Sequence, residues 1–182
     1  MAQNSLPSGS RMIHQCPAGP FVDWEREGEA AAGIDGVRVL CSRTGVVFSE
    51  HGGALEKMVT PFRLGVGGPI AGGHQYVPWV HIDDVVGAFL RLLDNPAASG
   101  PINVVAPNPA ANAQLSRALG HAIHRPAVMP VPGFAVRALF GEMAVTVTGS
   151  QRVSAAKRES LGYTFRYPEL DPALRGVVSN AA

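Results

Sequence analysis

The sequence predicts an α/β protein in which βαβ units build a parallel sheet, followed by a small α+β lobe at the carboxyl end. Three observations predict it. Short, nearly continuous apolar runs of strand length recur at residues 37–41, 77–82 and 102–106, as expected of strands covered on both faces. Segments with apolar residues three and four apart alternate with these runs, which is the rhythm of βαβ units. From Pro126 onward the rhythm gives way to prolines and short aromatic or apolar stretches.

Taken in order, residues 1–20 are rich in Ser, Pro, Gly and Gln without a period and predict a disordered or loosely attached start with no site. Over 21–32, Asp23, Glu25, Arg26, Glu27 and Glu29 lead into an Ala run and predict a solvent-facing helix closed by Gly33. The strand at 37–41 ends in the turn Ser42-Arg43-Thr44-Gly45. Leu55, Met58, Val59 and Phe62 then mark a helix over 54–64, with Pro61 as a kink or break. The next loop, 65–73, is dense in glycine and is read as flexible or tightly turned. It leads into the strand at 77–82, which delivers Asp83 and Asp84 to a helix start. Asp83 is placed as the N-cap, and Asp84 adds charge that the helix dipole favours. Val85, Val86, Phe89, Leu90 and Leu93 are assigned to the buried face of that helix, which Asn95-Pro96 ends. Beyond the strand at 102–106, Leu115, Leu119, Ala122 and Ile123 predict a further amphipathic helix. In the tail, 129–132 reads as extended, 134–143 as helix, 151–161 as a helix closed by Gly162, 163–168 as a strand and 171–178 as a closing helix. The organisation is therefore a loose start (1–20), a main α/β domain (21–125) and a carboxyl-terminal lobe (126–182).

Composition narrows the function. With 182 residues, 46% apolar, 16% charged and a net charge of +1, the chain offers no electrostatic case for nucleic acid or an anionic membrane. Small molecules or proteins are the expected partners. There is no apolar run of roughly 18 residues and no signal-peptide core in the first twenty, so the reading is a soluble, cytoplasmic-type protein or an organelle one whose presequence is not visible. Cys16 and Cys41 have no CxxC spacing, which argues against a zinc site and a disulfide framework. Cys41 is read as a buried core thiol.

Several motifs invite chemistry and can be tested on spacing. Gly65 and Gly67 begin a Gly-x-Gly-x-x-Gly pattern, but Ile70 stands at the third glycine, and the loop follows a helix where the dinucleotide fingerprint follows a strand. A loop over a substrate cleft, or a plain connector, fits better. A tyrosine activated by a lysine four residues later would suit proton transfer to a carbonyl. Tyr76, Tyr163 and Tyr167 have Val80, Tyr167 and Asp171 at that offset, so no such pair exists, and no catalytic residue is assigned. His121 and His124 could share a helix face but lack a third ligand at a familiar spacing; no metal is expected. Trp79 and His81 leave the same face of their strand and either meet a polar ligand or sit in the core.

The ordered segments Arg43-Thr44-Gly45-Val46-Val47-Phe48-Ser49, Gly52-Gly53-Ala54-Leu55-Glu56-Lys57-Met58, Pro61-Phe62-Arg63-Leu64-Gly65-Val66-Gly67-Gly68-Pro69 and Trp79-Val80-His81-Ile82-Asp83-Asp84 carry a resemblance. Gly100-Pro101-Ile102-Asn103-Val104, Gly141-Glu142-Met143, Gln151-Arg152-Val153 and Phe165-Arg166-Tyr167-Pro168 extend it. Together they resemble the atypical short-chain dehydrogenase/reductases of the nucleoside-diphosphate-sugar epimerase-like family, from about Phe21 to near the end. The resemblance implies an incomplete Rossmann-like, doubly wound parallel sheet, represented by its last strands only. The family's first Rossmann strand, glycine-rich turn and active-site tyrosine segment have no counterpart in the 182 residues.

What the resemblance implies about the site goes position by position. Arg43, Thr44, Gly45 and Val46 match the segment along the nicotinamide end of an NADP cofactor. Gly67, Gly68, Trp79 and His81 match the substrate side of the cleft, and Lys57 lies on a helix beneath it. The parent family implies redox or epimerase chemistry on a small or sugar-nucleotide-like substrate, with this chain inactive alone. The alternatives are a non-catalytic interaction module or a sugar-nucleotide-binding lobe. An unpaired apolar edge at 37–41 favours a homodimer or pairing with a partner.

Overall fold

The computed structural model describes residues 18–141, 148–156 and 161–179. Helix α1 (Ala18–Ala30) and a 3₁₀ turn (Ala31–Gly33) precede β1 (Leu40–Thr44) and β2 (Val46–Phe48). Then follow α2 (Ala54–Arg63), β3 (Tyr76–Val77), β4 (Trp79–His81), α3 (Ile82–Asp94) and β5 (Gly100–Val104). The chain continues through β6 (Ala110–Ala111), α4 (Asn112–Ala122), α5 (Gly133–Phe140) and α6 (Leu170–Ser179). The expectations for 1–20, including Cys16, and for the end of the 134–143 helix fall largely outside the described residues.

β1 pairs in parallel with β5, Leu40 opposite Gly100 and Thr44 opposite Val104. Past Thr44 the two strands part and β4 wedges between them: Val46–Phe48 pairs in parallel with Trp79–His81, while the Ala106 amide donates to the Trp79 carbonyl at 2.7 Å. The β1–β5 pair thus ends at Thr44 and Val104, and the β2–β4 pair carries on in the same direction to Phe48 and His81. The layers follow from alternation. Phe48, Trp79 and Ala106 pack with Leu55, Val59 and Phe62 of α2, Leu115 and Leu119 of α4, and Leu174 and Val177 of α6. Val80 and Val104 meet Ala88 of α3 on the opposite side. The sandwich of helices on both faces of parallel strands is the α/β architecture that the apolar runs predict.

Several boundaries differ from the sequence reading, each for a local reason. The first strand starts at Leu40 and runs through the residues assigned to a turn. Before it, the Val37 amide donates to the Ile34 carbonyl, and Arg38 turns aside to donate to the carbonyls of Leu92, Leu93 and Ala98 at 2.8–2.9 Å. Those are the orphan acceptors at the end of α3 and just past it, so Arg38 caps that helix. Cys41 is half-buried. Pro61 does not break α2, which runs on to Arg63 without the one ladder bond that proline cannot donate. α3 buries Asp84, Ala88 and Leu92, not the face assigned to it; Val86, Phe89, Leu90 and Leu93 are exposed. Gly87 helps to set that rotation, since a Cβ there would lie 2.7 Å from the Tyr163 hydroxyl. Residues 151–155 are irregular, held by Gln151 N–H to the Tyr76 carbonyl and Asn103 Nδ2 to the Ser154 carbonyl. Residues 163–168 form no strand either, because the Arg166 and Tyr167 amides are spent on a side chain of α3. No described helix is long and apolar enough to cross a membrane.

Candidate functional site

The exit of β1 is held tightly. The Gly45 amide donates to the Val104 carbonyl at 3.1 Å and the Val46 amide to the Pro78 carbonyl at 2.7 Å, which locks the segment between β5 and β4. A Cβ on Gly45 would lie 2.7 Å from the Pro78 oxygen, so the position admits glycine alone without a backbone shift. Ser42 and Thr44 leave one face of the strand with their hydroxyls 3.1 Å apart, both residues exposed. Arg43 leaves the other face and donates twice to the Glu25 carboxylate of α1, at 2.6 and 2.5 Å. That bidentate pair holds the Glu25 carboxyl below its ordinary range and the Arg43 guanidinium above its own. Glu25 was not singled out by the sequence; eighteen residues separate the partners.

β2–β4 pairing places Val46 directly opposite Trp79, so two of the predicted groups meet. Trp79 is a core residue: it is 1% exposed, stacks on Phe48 with ring centroids 5.5 Å apart and donates its indole N–H to the Asn108 carbonyl. His81 is buried on the same face and stacks on Tyr167 at 3.8 Å. It, and not Asp83, caps α3: its Nδ1 accepts the Asp83 amide at 3.1 Å. Neutral His81 therefore carries its proton on Nε2, and burial lowers its affinity for a second one, more than Asp83, Asp84 and Glu50 raise it.

The glycine loop is tied down and is not a free flap. Gly67 and Gly68 are buried; a Cβ on Gly67 would overlap the Phe62 ring at 2.3 Å, and one on Gly68 would lie 2.1 Å from the Met129 carbonyl oxygen. The Ile70 amide donates to Asn112 Oδ1, the Ala71 amide to the Val131 carbonyl, and the Val131 amide to the Pro69 carbonyl. These glycines therefore join the carboxyl-terminal segment near Met129, with Phe62 linking them to the core that Trp79 shares.

Asp84, to which the sequence assigned only a charge favoured by the helix dipole, has the densest hydrogen bonding of these residues. Asp84 is fully buried and accepts the Tyr163 hydroxyl at 2.8 Å, the Arg166 amide at 2.8 Å and the Tyr167 amide at 3.0 Å. Nothing in the spacing of the tyrosines points there, since the partners lie 79 to 83 residues downstream. Arg166 also reaches the Asp83 carboxylate at 3.6 Å. Two cavities lie elsewhere: a cleft of about 390 Å³ between α4 and α6, lined by Asn108, Arg117, His121, Glu169 and Asp171, and an apolar one of about 210 Å³ between β1 and α3. Among the described residues no three His, Cys, Asp or Glu side chains group as metal ligands.

Comparison with known proteins follows this geometry. A family described as a domain of unknown function (DUF1731) matches residues 131–177. The epimerase family protein SDR39U1 of Mus musculus is 44% identical over 154 residues, 83% of this chain and 53% of the mouse protein. The chloroplastic homologue of Arabidopsis thaliana is 40% identical over 85% of the chain and 44% of its own length. A crystal structure of the human epimerase family protein SDR39U1 with NADPH superposes with a TM-score of 0.79 at 39% identity, covering 88% of this chain and 55% of that one. A nucleoside-diphosphate sugar epimerase from Corynebacterium glutamicum gives 0.65 at 33% identity, over 84% of this chain and 28% of that one. The chain spans about half the length of the curated relatives it matches.

Proposed function

Because this chain belongs to the NAD(P)-dependent, epimerase-like family of short-chain dehydrogenase/reductases, we propose that its 182 residues are the substrate-side half of an NADP-dependent enzyme of that family, inactive without the family's glycine-rich βαβ units. The observation that carries this reading is the place of Arg43-Thr44-Gly45-Val46 at the carboxyl end of β1, beside the end of β5, where the chain passes to β2 and its partner β4; ligands of α/β sheets bind at such strand ends.

The residues fit one end of the dinucleotide. Gly45 lets backbone stand close, and the exposed Ser42 and Thr44 hydroxyls supply polar contacts. Arg43 is committed to Glu25 and acts by fixing the segment against α1. The groups that grip pyrophosphate have no counterpart in the sequence. When bound, the nicotinamide would supply hydride transfer; this chain's part is to orient that end and shape the substrate wall. In that wall His81 is the polar group at a strand exit, Trp79 backs it from the core, and Gly67 and Gly68 set the approach of the 128–131 segment. The proposed domains are 21–125 for the sheet and 126–182 for the lobe.

The test is a fluorescence titration with NADPH. The 182-residue polypeptide is expected to show no saturable binding, and joined behind the amino-terminal half of the human relative it is expected to bind saturably, more weakly with Gly45→Ala. Micromolar binding by the polypeptide alone overturns the half-site reading. A folded fusion that stays silent overturns the cofactor assignment.

A further inference from the structure

Residues 163–167 cross the junction of β4 and α3 as an irregular strap, and three positions of the HisIleAspAsp corner, His81, Asp83 and Asp84, hold it. Asp84 takes the Tyr163 hydroxyl and the Arg166 and Tyr167 amides; Asp83 takes the Arg166 guanidinium; the His81 ring carries the Tyr167 ring at 3.8 Å and 24°. Phe165 packs edge-on against Tyr163. We propose that this strap is a proton-sensitive cover: neutral His81 holds it on the carboxyl end of β4, and protonation of His81 releases it.

The coupling is geometric. Nδ1 of His81 is an acceptor for the Asp83 amide, so a proton placed there sets two N–H groups against each other and removes the cap. The side chain is 7% exposed, and a charged ring is poorly solvated there. To carry charge the ring must turn toward water, and turning out undoes the Tyr167 stack. The charged and titratable groups facing it divide. Asp83, Asp84 and Glu50 favour the imidazolium, Arg166 opposes it, and burial outweighs them. Asp83 is also shared: its Oδ2 lies 3.9 Å from His81 Nδ1 and 3.6 Å from Arg166 Nη1, so a charged His81 draws it from the strap. The attraction of an imidazolium for the tyrosine face regains less than burial of the charge costs. The strap belongs to the 131–177 segment that matches a domain of unknown function, and this gives that segment a task independent of the cofactor reading.

Residue-resolved hydrogen exchange on the full chain tests this. Between about pH 7.5 and pH 5.5, with intrinsic rates corrected, protection of the Arg166 and Tyr167 amides is expected to fall about tenfold, the factor for one pH unit below an ordinary histidine. Amides of Leu115 and Leu119 in α4 stay protected. His81→Asn, whose carboxamide oxygen can still accept the Asp83 amide without titrating, is expected to abolish the pH dependence. Unchanged protection in the unmodified chain, or an equal loss in the variant, overturns the proposal. Should the variant not fold, NMR of the unmodified chain decides: Tyr167 ring shifts that do not follow the His81 titration overturn it equally.

Discussion

Asp84→Ala removes an acceptor that serves three donors in a fully buried position. Each hydrogen bond to a charged group is worth about 1.5–3 kcal/mol. The three share one carboxylate and are not additive, and some water enters the space left, so the net loss comes to about 3–5 kcal/mol. A domain of this size has about 5–15 kcal/mol in total, which makes the loss a large fraction. With a urea slope of about 2 kcal/mol/M, the unfolding midpoint falls by about 1.5–2.5 M. Asp84→Asn is expected to fall between, near 2 kcal/mol: one oxygen still serves Tyr163 and Arg166, while the new NH₂ faces the Tyr167 amide. Tyr163→Phe removes one donor and costs about 1 kcal/mol. Equilibrium urea denaturation followed by circular dichroism measures all three. A midpoint shift under about 0.5 M for Asp84→Ala at unchanged slope, or a loss for Asn equal to that for Ala, refutes the three-donor account.

Glycine positions give a steric series for thermal unfolding: Gly68→Ala and Gly45→Ala, whose methyls would lie 2.1 and 2.7 Å from carbonyl oxygens, each lose about 2–4 kcal/mol. Gly33→Ala, with nothing within 4 Å, stays within about 0.5 kcal/mol. For pH, His81 binds a proton less readily folded than unfolded, so its contribution is full above about pH 6.5 and is lost as pH falls through the lowered folded value. Glu25 is likewise lowered, and its half-exposed pair with Arg43 adds under about 1 kcal/mol, lost below its ordinary value of 4.5. Urea midpoints that rise on acidification from pH 6.5 to about 5.5 contradict the His81 sign. Leu90→Lys and Leu93→Lys, at 58% and 65% exposed positions, are each expected to leave stability within about 0.5 kcal/mol in urea denaturation. Unfolding by either would place that face of α3 in the core.

Period and punctuation carried the sheet and most helices because those signals are local. The runs at 37–41, 77–82 and 102–106 each contain residues of a parallel strand, and Gly33 and Pro96 mark real boundaries. The rotation of α3 was illegible for a physical reason. Residues 84–93 are apolar on two stripes, and the choice fell to contacts set elsewhere: Tyr163 over Gly87 and Arg38 on the closing carbonyls. The same limit governs the site. Alternation correctly put Trp79 and His81 on one face, but it could not say what covers that face, because the cover comes with Tyr167, whose segment Asp84 holds from 79 to 83 residues away, partly through main-chain amides that no side-chain pattern encodes. Asp83 and Asp84 are neighbours with one composition and two roles. The first stays at the surface between Arg166 and His81; the second turns inward with Ala88 and Leu92 and becomes the anchor of the carboxyl-terminal segment. A helix start supplies both outcomes whenever consecutive carboxylates are about 100° apart around the axis, so that one must face the sheet. Such a buried carboxylate persists only where donors are built to meet it, and here two of the three are backbone amides, which a strand at 163–168 would have consumed.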